Sequence, residues 1–351
     1  MAGIPLPGVS AEGQRKKPAG PVRLCYNENP HGPSPRAIEA MSEQLSRGNL
    51  YALDMQQQLR HAIAQPLGLS GGNVVLGSGS SEVLGLATGL AAKNGPGQIL
   101  LANPSFTMWL SPAGQLGLET RGIELDSESR HDLGAMLGAL SEQTRMVYLC
   151  NPANPCGTTL AEEDLRKFIR EAATRTLVVV DEAYFEYPAS GSVVEMVKDL
   201  PNLIVTRTFS KIYGLAGLRV GYGVAHPETT QKLAAREGWP NICVSNVSMA
   251  AALASLQDTG FVHETRQKNR QAMEFTTDLF KELKLNFIPS KTSFVLFDVN
   301  HLKLDISDAL GKRGVQVRNW GLKGKRYCRV SMGTMKDMGI FAEQLRAVLK
   351  G

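Results

Sequence analysis

Cysteine is scarce in this chain. The 351 residues hold five (Cys25, Cys150, Cys156, Cys243 and Cys328), an odd number with no CxxC spacing. That argues against a disulfide framework and fits free thiols in a reducing compartment. Histidine is equally thin: six isolated residues with no HExxH pattern give no metal site. No apolar run is long enough to span a membrane. Residues 1–22, rich in Gly, Pro, Lys and Arg, contain no hydrophobic signal core. They read as a flexible arm on a cytoplasmic protein, unless a leader was removed upstream of Met1. There is no short-period repeat. The excess of positive charge is only +5 and is scattered, apart from Arg15-Lys16-Lys17 and Lys323–Arg326. It points away from a nucleic-acid partner and is compatible with anionic, phosphorylated small ligands.

What is present is a soluble-protein composition over a length that suits two domains. From about residue 74, short apolar runs alternate with amphipathic stretches. Val74–Leu76, Gln98–Ala102, Met146–Cys150, Thr176–Asp181 and Leu203–Thr206 read as strands, and Ser81–Ala92, Ala161–Ala173 and Pro227–Glu237 as helices. Alternation of this kind predicts an α/β fold on a mostly parallel, covered sheet. After about residue 245 the texture turns α+β. A long helix is expected over Phe261–Leu283, strands over Ser293–Asp298 and Tyr327–Ser331, and a final helix over Met335–Leu349. The expected organisation is an arm (1–22), a segment that packs on the smaller domain (23–44), a large domain (45–245) and a small C-terminal domain (246–351).

Several strand ends carry reactive side chains. Lys211 lies in Thr208-Phe209-Ser210-Lys211-Ile212-Tyr213-Gly214-Leu215-Ala216-Gly217-Leu218-Arg219, directly after an apolar strand. Ligands of open α/β sheets bind at that edge. Thr208, Ser210 and Arg219 suit a phosphate. Asp181 ends the apolar run Leu177–Val180 and needs a partner there; it could equally cap a helix. Tyr184 follows three residues later. Asn151-Pro152-Ala153-Asn154-Pro155-Cys156-Gly157-Thr158 is turn chemistry that could also present the Asn154 amide. Gly77-Ser78-Gly79-Ser80-Ser81-Glu82 joins a strand to a helix and forms an anion site of low specificity. Trp109 could stack on a flat ring or fill the core. A pyridoxal 5′-phosphate enzyme needs a Schiff-base lysine, an anion for the ring nitrogen, a phosphate cradle and a carboxylate anchor. Each demand has a candidate here.

Taken in order, these motifs resemble the fold-type I, class I/II aminotransferases, and among them the histidinol-phosphate aminotransferase branch. The resemblance runs from about Leu24 to the end. It includes Asn27-Glu28-Asn29-Pro30-His31-Gly32-Pro33-Ser34-Pro35, Asp181-Glu182-Ala183-Tyr184 and Ser210-Lys211 through Arg219. It implies an aspartate-aminotransferase-like fold: a large domain around a mostly parallel sheet, plus a smaller α+β domain. It implies pyridoxal 5′-phosphate as cofactor, a homodimer, and a ping-pong exchange between an amino donor and a 2-oxo acid such as 2-oxoglutarate. By position, Lys211 would carry the cofactor and shuttle the proton, and Asp181 would pair with the ring nitrogen. Tyr184 and Asn154 would hold the 3-oxygen. Ser80, Ser81, Thr208, Ser210 and Arg219 would hold the phosphate, with Trp109 on the ring face. Tyr51 would reach the partner subunit's cofactor phosphate. Arg329 would bind the substrate α-carboxylate, Arg318 its distal group, and Asn29 is a further substrate-binding candidate.

Four departures touch specificity or detail. Cys156 stands where Thr is usual, Ser81 where an acidic residue is common, Thr292-Ser293-Phe294 where relatives have Ala-Asn-Phe, and Trp109 where Tyr is usual. An aromatic amino-acid transaminase or a decarboxylase on the same fold remains the nearest alternative. A nicotinamide dehydrogenase built on Gly77–Glu82 lacks the full glycine spacing. A pyridoxal-binding regulator would need a DNA-binding domain, for which there is no room before Asn27.

Overall fold

The computed structural model describes residues 20–188, 191–236 and 244–350. Most of the expected arm, residues 1–19, together with Glu237 and Cys243, lies outside the described residues. In chain order the strands are β1 (Val22–Arg23), β2 (Val74–Gly77), β3 (Gly97–Asn103), β4 (Leu118–Glu124), β5 (Thr144–Cys150), β6 (Leu177–Asp181), β7 (Leu203–Thr208), β8 (Gly221–Ala225), β9 (Phe287–Ile288), β10 (Phe294–Asp298), β11 (Val315–Gln316), β12 (Arg318–Leu322) and β13 (Lys325–Ser331). The helices are α1 (Pro35–Gln44), α2 (Leu53–Ala64), α3 (Ser80–Ala92), α4 (Leu133–Gly138), α5 (Glu162–Ala172), α6 (Pro227–Ala234), α7 (Asn246–Gln257), α8 (Thr259–Glu282), α9 (Ile306–Gly311) and α10 (Met335–Lys350).

The large sheet runs β2-β8-β7-β6-β5-β3-β4, parallel throughout except for β8. Its central strands carry apolar runs, Leu177–Val180 in β6 and Leu203–Val205 in β7, because both faces are covered. The period of two sends Val178 and Val180 into one core and Val179 into the other. The outer helix α5 shows the matching helical pattern. Leu165, Phe168, Ile169 and Ala172 are buried, and Glu162, Glu163 and Asp164 sit in the first turn, where they oppose the helix dipole.

Two strands of this sheet lie outside the sequence-based expectation. β4 is an edge strand exposed at most positions, so it carries no apolar run. β8 is Gly-Tyr-Gly-Val-Ala, in which glycine is required by contact. A Cβ on Gly221 would stand 2.3 Å from the Ser80 nitrogen, and one on Gly223 2.6 Å from Val83.

The second unit is an antiparallel sheet, β12-β13-β10-β9, on a core of Phe280, Phe297 and Phe341. Residues near Val22 join it, because β1 pairs with β11 and Leu24 enters this core. The expected segment 23–44 is divided, however: α1 packs on α7 and Ala37 is part of the larger core. Met249, Ala251 and Ala252 of α7 also belong to the larger core. On these contacts we propose that the boundary falls within α8 rather than at 245/246.

Candidate active site

Five strand ends meet at one edge of the large sheet, those of β2, β3, β5, β6 and β7. They bound a cavity of about 380 Å³ that is closed on the far side by β12 and β13 of the second unit. Lys211, Asp181, Tyr184, Asn154, Ser80, Ser81, Thr208, Ser210, Arg219, Arg318 and Arg329 all line it. The fold thus gathers eleven of the expected residues from segments as far apart as residues 80 and 329.

Asp181 stands at the end of β6, 2 % exposed. Its Oδ2 accepts a hydrogen bond from the Tyr148 hydroxyl at 2.8 Å and its Oδ1 one from Thr206 at 3.0 Å. Burial raises its pKa, opposed by those hydrogen bonds and by the charge on Lys211. It is a buried carboxylate served by neutral donors, and a cationic ring nitrogen would complete it. The Lys211 Nζ lies 5.6 Å from the Tyr184 ring centroid and 3.5 Å from the Tyr26 carbonyl. Burial, then the Arg329 charge, lowers its pKa to about 8, and Asp181 pulls the other way. A neutral, nucleophilic amine is therefore accessible near neutral pH.

The opposite end of the cavity is built for an anion. Helix α3 begins after Gly79, whose φ is +79°, and no side chain caps it. The N–H groups of Ser80 and Ser81 stand at the helix N-terminus, beside the Thr208–Ser210 hydroxyl pair (2.9 Å). Arg219, in the left-handed region at φ 50°, donates to Ser210, Ala216 and Ser78. A Cβ on Gly79 would stand 2.2 Å from Arg219 Nη2, so only glycine lets the guanidinium close on this loop.

The third region is cationic. Arg318 on β12 and Arg329 on β13 are direct antiparallel partners, so they share one face of the sheet. Both guanidinium groups lie against the Trp320 ring, at 5.4 and 5.5 Å from its centroid, and Arg329 also meets Phe294 at 5.2 Å. Arg329 is 3 % exposed. It donates to Asn154 Oδ1 at 2.6 Å and to the Cys25 carbonyl at 2.9 Å, while its Nε is buried with no partner among the described residues. Burial, with the like charge of Arg318, lowers its pKa, and Tyr184 pulls the other way. Arg318, expected at the substrate's distal group, is by register the neighbour of Arg329.

Two other expectations meet a different placement. Trp109 does not line the cavity. Its indole N–H is spent on the Phe106 carbonyl at 2.8 Å and its ring packs on Tyr148 at 4.8 Å, within the core. Phe106, Thr107 and Met108 form the wall instead. Asn29 also stays outside; its amide donates to the Ile212 carbonyl at 2.7 Å and braces the Lys211 loop. Tyr51, expected at the partner subunit's site, is 76 % exposed and does not line its own chain's cavity.

Sequence reasoning passed over Asn27, Tyr148, Thr206 and Trp320. Asn27 donates to the Tyr184 hydroxyl at 2.8 Å and exchanges hydrogen bonds with Ser331. It lies two residues before Asn29 in the same motif, and only its left-handed φ of 57° selects it. Tyr148 and Thr206 are strand residues whose polar atoms meet Asp181 through strand pairing, a signal that appears only in three dimensions.

The family profile described as aminotransferase class I and II matches residues 19–345. The histidinol-phosphate aminotransferase of Symbiobacterium thermophilum is 38% identical over 331 residues, covering 93% of this chain and 90% of the relative. The solved structure of a histidinol-phosphate aminotransferase from Sinorhizobium meliloti, in complex with pyridoxal-5′-phosphate, superposes with a TM-score of 0.86 at 29% identity, over 93% of this chain and 90% of that one. A double mutant of Thermus thermophilus aspartate aminotransferase shares the fold at a TM-score of 0.80 and 20% identity, over 94% of this chain and 92% of that one. No described helix is long and apolar enough to cross a membrane. The uncapped helix end, the Gly79–Arg219 closure and the buried Asp181 fit the pyridoxal-5′-phosphate of the Sinorhizobium meliloti structure, and the chain belongs to the class I and II aminotransferases, as a pyridoxal 5′-phosphate-dependent transaminase.

Proposed function

We propose that the chain is a histidinol-phosphate aminotransferase, passing the donor's amino group to a 2-oxo acid such as 2-oxoglutarate, as a cytoplasmic homodimer. The observation that carries this reading is the Arg318–Arg329 pair. Like charges directly opposite on neighbouring strands destabilise a sheet, and here one of the two is almost fully buried. A bound anion resolves that conflict. Histidinol phosphate carries a phosphate ester where an amino acid carries its carboxylate, so one end of one cavity can receive the donor's phosphate and the acceptor's carboxylate in turn. Paired guanidinium forks suit both.

The remaining roles in this reading are those that the family resemblance implies. Ser80, Ser81, Thr208, Ser210 and Arg219 hold the cofactor phosphate, Asp181 keeps the ring nitrogen protonated, and Tyr184 and Asn154 hold the ring oxygen. When bound, the cofactor supplies the carbonyl that captures the amino group and the conjugated ring that draws off the electron pair. Lys211 Nζ holds the cofactor at rest, then removes the donor's α-proton and returns it one carbon away. The Asn27–Tyr184 hydrogen bond fixes the phenol, and the Asn154–Arg329 bond links ring recognition to substrate recognition.

Donor specificity tests the reading. Single turnovers followed by cofactor absorbance, with histidinol phosphate, histidine, phenylalanine, tyrosine and glutamate, should give the highest kcat/KM for histidinol phosphate. Arg318→Gln should lower that value by at least about tenfold. Faster turnover of an aromatic amino acid than of histidinol phosphate contradicts the assignment.

A further inference from the structure

Trp320 is a residue shared by two cavities. It lines the active-site cavity of about 380 Å³ and a second cavity of about 270 Å³, bounded by Val299, Leu304, Asp305, Arg326 and Tyr327. β12 is the edge strand of its sheet, so no further strand backs this partition. Gly321, next along the chain, has open space where a Cβ would be, and Tyr327, the cross-strand partner of Trp320, belongs to the second cavity. The second cavity does not form another anion site. Arg326 donates to the carbonyls of Val299, Asn300, Leu302 and Leu304, and Asp305 accepts from Asn319 and the Asp308 backbone. Its charges are satisfied internally, and what it offers is volume.

We propose that Trp320 is a specificity-determining residue that sets the depth of the anion end of the active site. This rests on the assignment of Arg318 and Arg329 to the substrate anion. The indole stands against both guanidinium groups and walls off the space behind them. A carboxylate sits directly on the donor's α-carbon and needs Arg329 held close. A phosphate ester projects further, by an oxygen and a phosphorus, toward the indole. The ring therefore favours the short anion by bracing Arg329 and restrains the long one by occupying the space beyond.

Histidine and histidinol phosphate isolate this end of the site, because they share the imidazole and the amino group and differ only in the anion. Trp320→Ala and Trp320→Leu should raise the kcat/KM ratio of histidinol phosphate to histidine by roughly tenfold, within the range that small changes of pocket volume produce. The 2-oxoglutarate half-reaction should slow together with that of histidine. Trp320→Phe, which keeps an aromatic wall, should hold the ratio within about threefold of the parent. A purely structural role would lower both donors alike, with the melting point, and leave the ratio in place. Normal parent turnover with an unshifted ratio in both the Ala and Leu variants overturns the partition alone. A parent enzyme that turns over neither donor contradicts the proposed function and takes this inference with it.

Discussion

Asp181→Asn should stabilise the cofactor-free protein while disabling the enzyme. The carboxylate is 2 % exposed and receives hydrogen bonds from Tyr148 and Thr206, both neutral. Lys211 is its nearby cation, and the amine is itself held toward neutrality by burial. An amide in this place keeps the shape and removes the buried charge, a relief of about 1–3 kcal/mol. Unfolding entropies of about 2.1 cal/mol/K per residue give roughly 0.7 kcal/mol/K for 351 residues, so about 2 kcal/mol raises the melting point by about 3 °C. The sign follows from linkage. Burial raises the folded pKa of Asp181, so the folded state binds more protons than the unfolded one above about pH 4, and parent stability falls as pH rises through that range. The Asn variant lacks this loss, so its advantage grows from about pH 4 upward and vanishes below it. With cofactor bound the order reverses. An amide cannot hold the ring nitrogen's proton, and kcat should fall by about a hundredfold or more, equivalent to about 2.7 kcal/mol. Scanning calorimetry of the cofactor-free proteins across pH and single-turnover absorbance of the loaded ones read the two effects. A variant that melts lower without cofactor, or that turns over within about threefold of the parent, refutes the reasoning.

Lys211 gives a second pH signature. Its folded pKa of about 8 lies below the free value, so cofactor-free stability should rise with pH from about 8 to 10.5. The rate of cofactor capture should follow the neutral amine, with a midpoint near pH 8. Arg329→Gln removes the second cause of that depression and should move the midpoint upward; an unmoved midpoint counts against the electrostatic account. Tyr51, exposed on its own chain, should complete the partner's site. Mixing an inactive Lys211→Ala chain with a Tyr51→Phe chain should therefore restore one intact site in mixed dimers. Confirmed subunit exchange without recovered activity argues against a shared site.

Much of the large unit was legible because both faces of its sheet are covered. Apolar runs such as Leu177–Val180 need no periodicity to be recognised, and the polar residue that ends the run, Asp181, marks the site. β4 escaped because an exposed edge strand has no such run, and β8 because its glycines answer to contacts with Ser80 and Val83 rather than to strand propensity. The site divides along the same line. Lys211, Asp181, Asn154 and Arg219 follow strand ends, where sequence order and spatial order agree. The depth of the cavity depends instead on antiparallel register in the second unit. That register makes Arg318 a neighbour of Arg329 and puts Trp320 beside both.

The most direct test of the central claim is to reduce the yellow, cofactor-loaded protein with borohydride and map the modified peptide by mass. The account predicts a single stable secondary amine on Lys211, within the peptide from Thr208 to Arg219, and loss of the visible absorbance without release of cofactor. A label on any other lysine, or a colourless protein that takes up no cofactor, contradicts it.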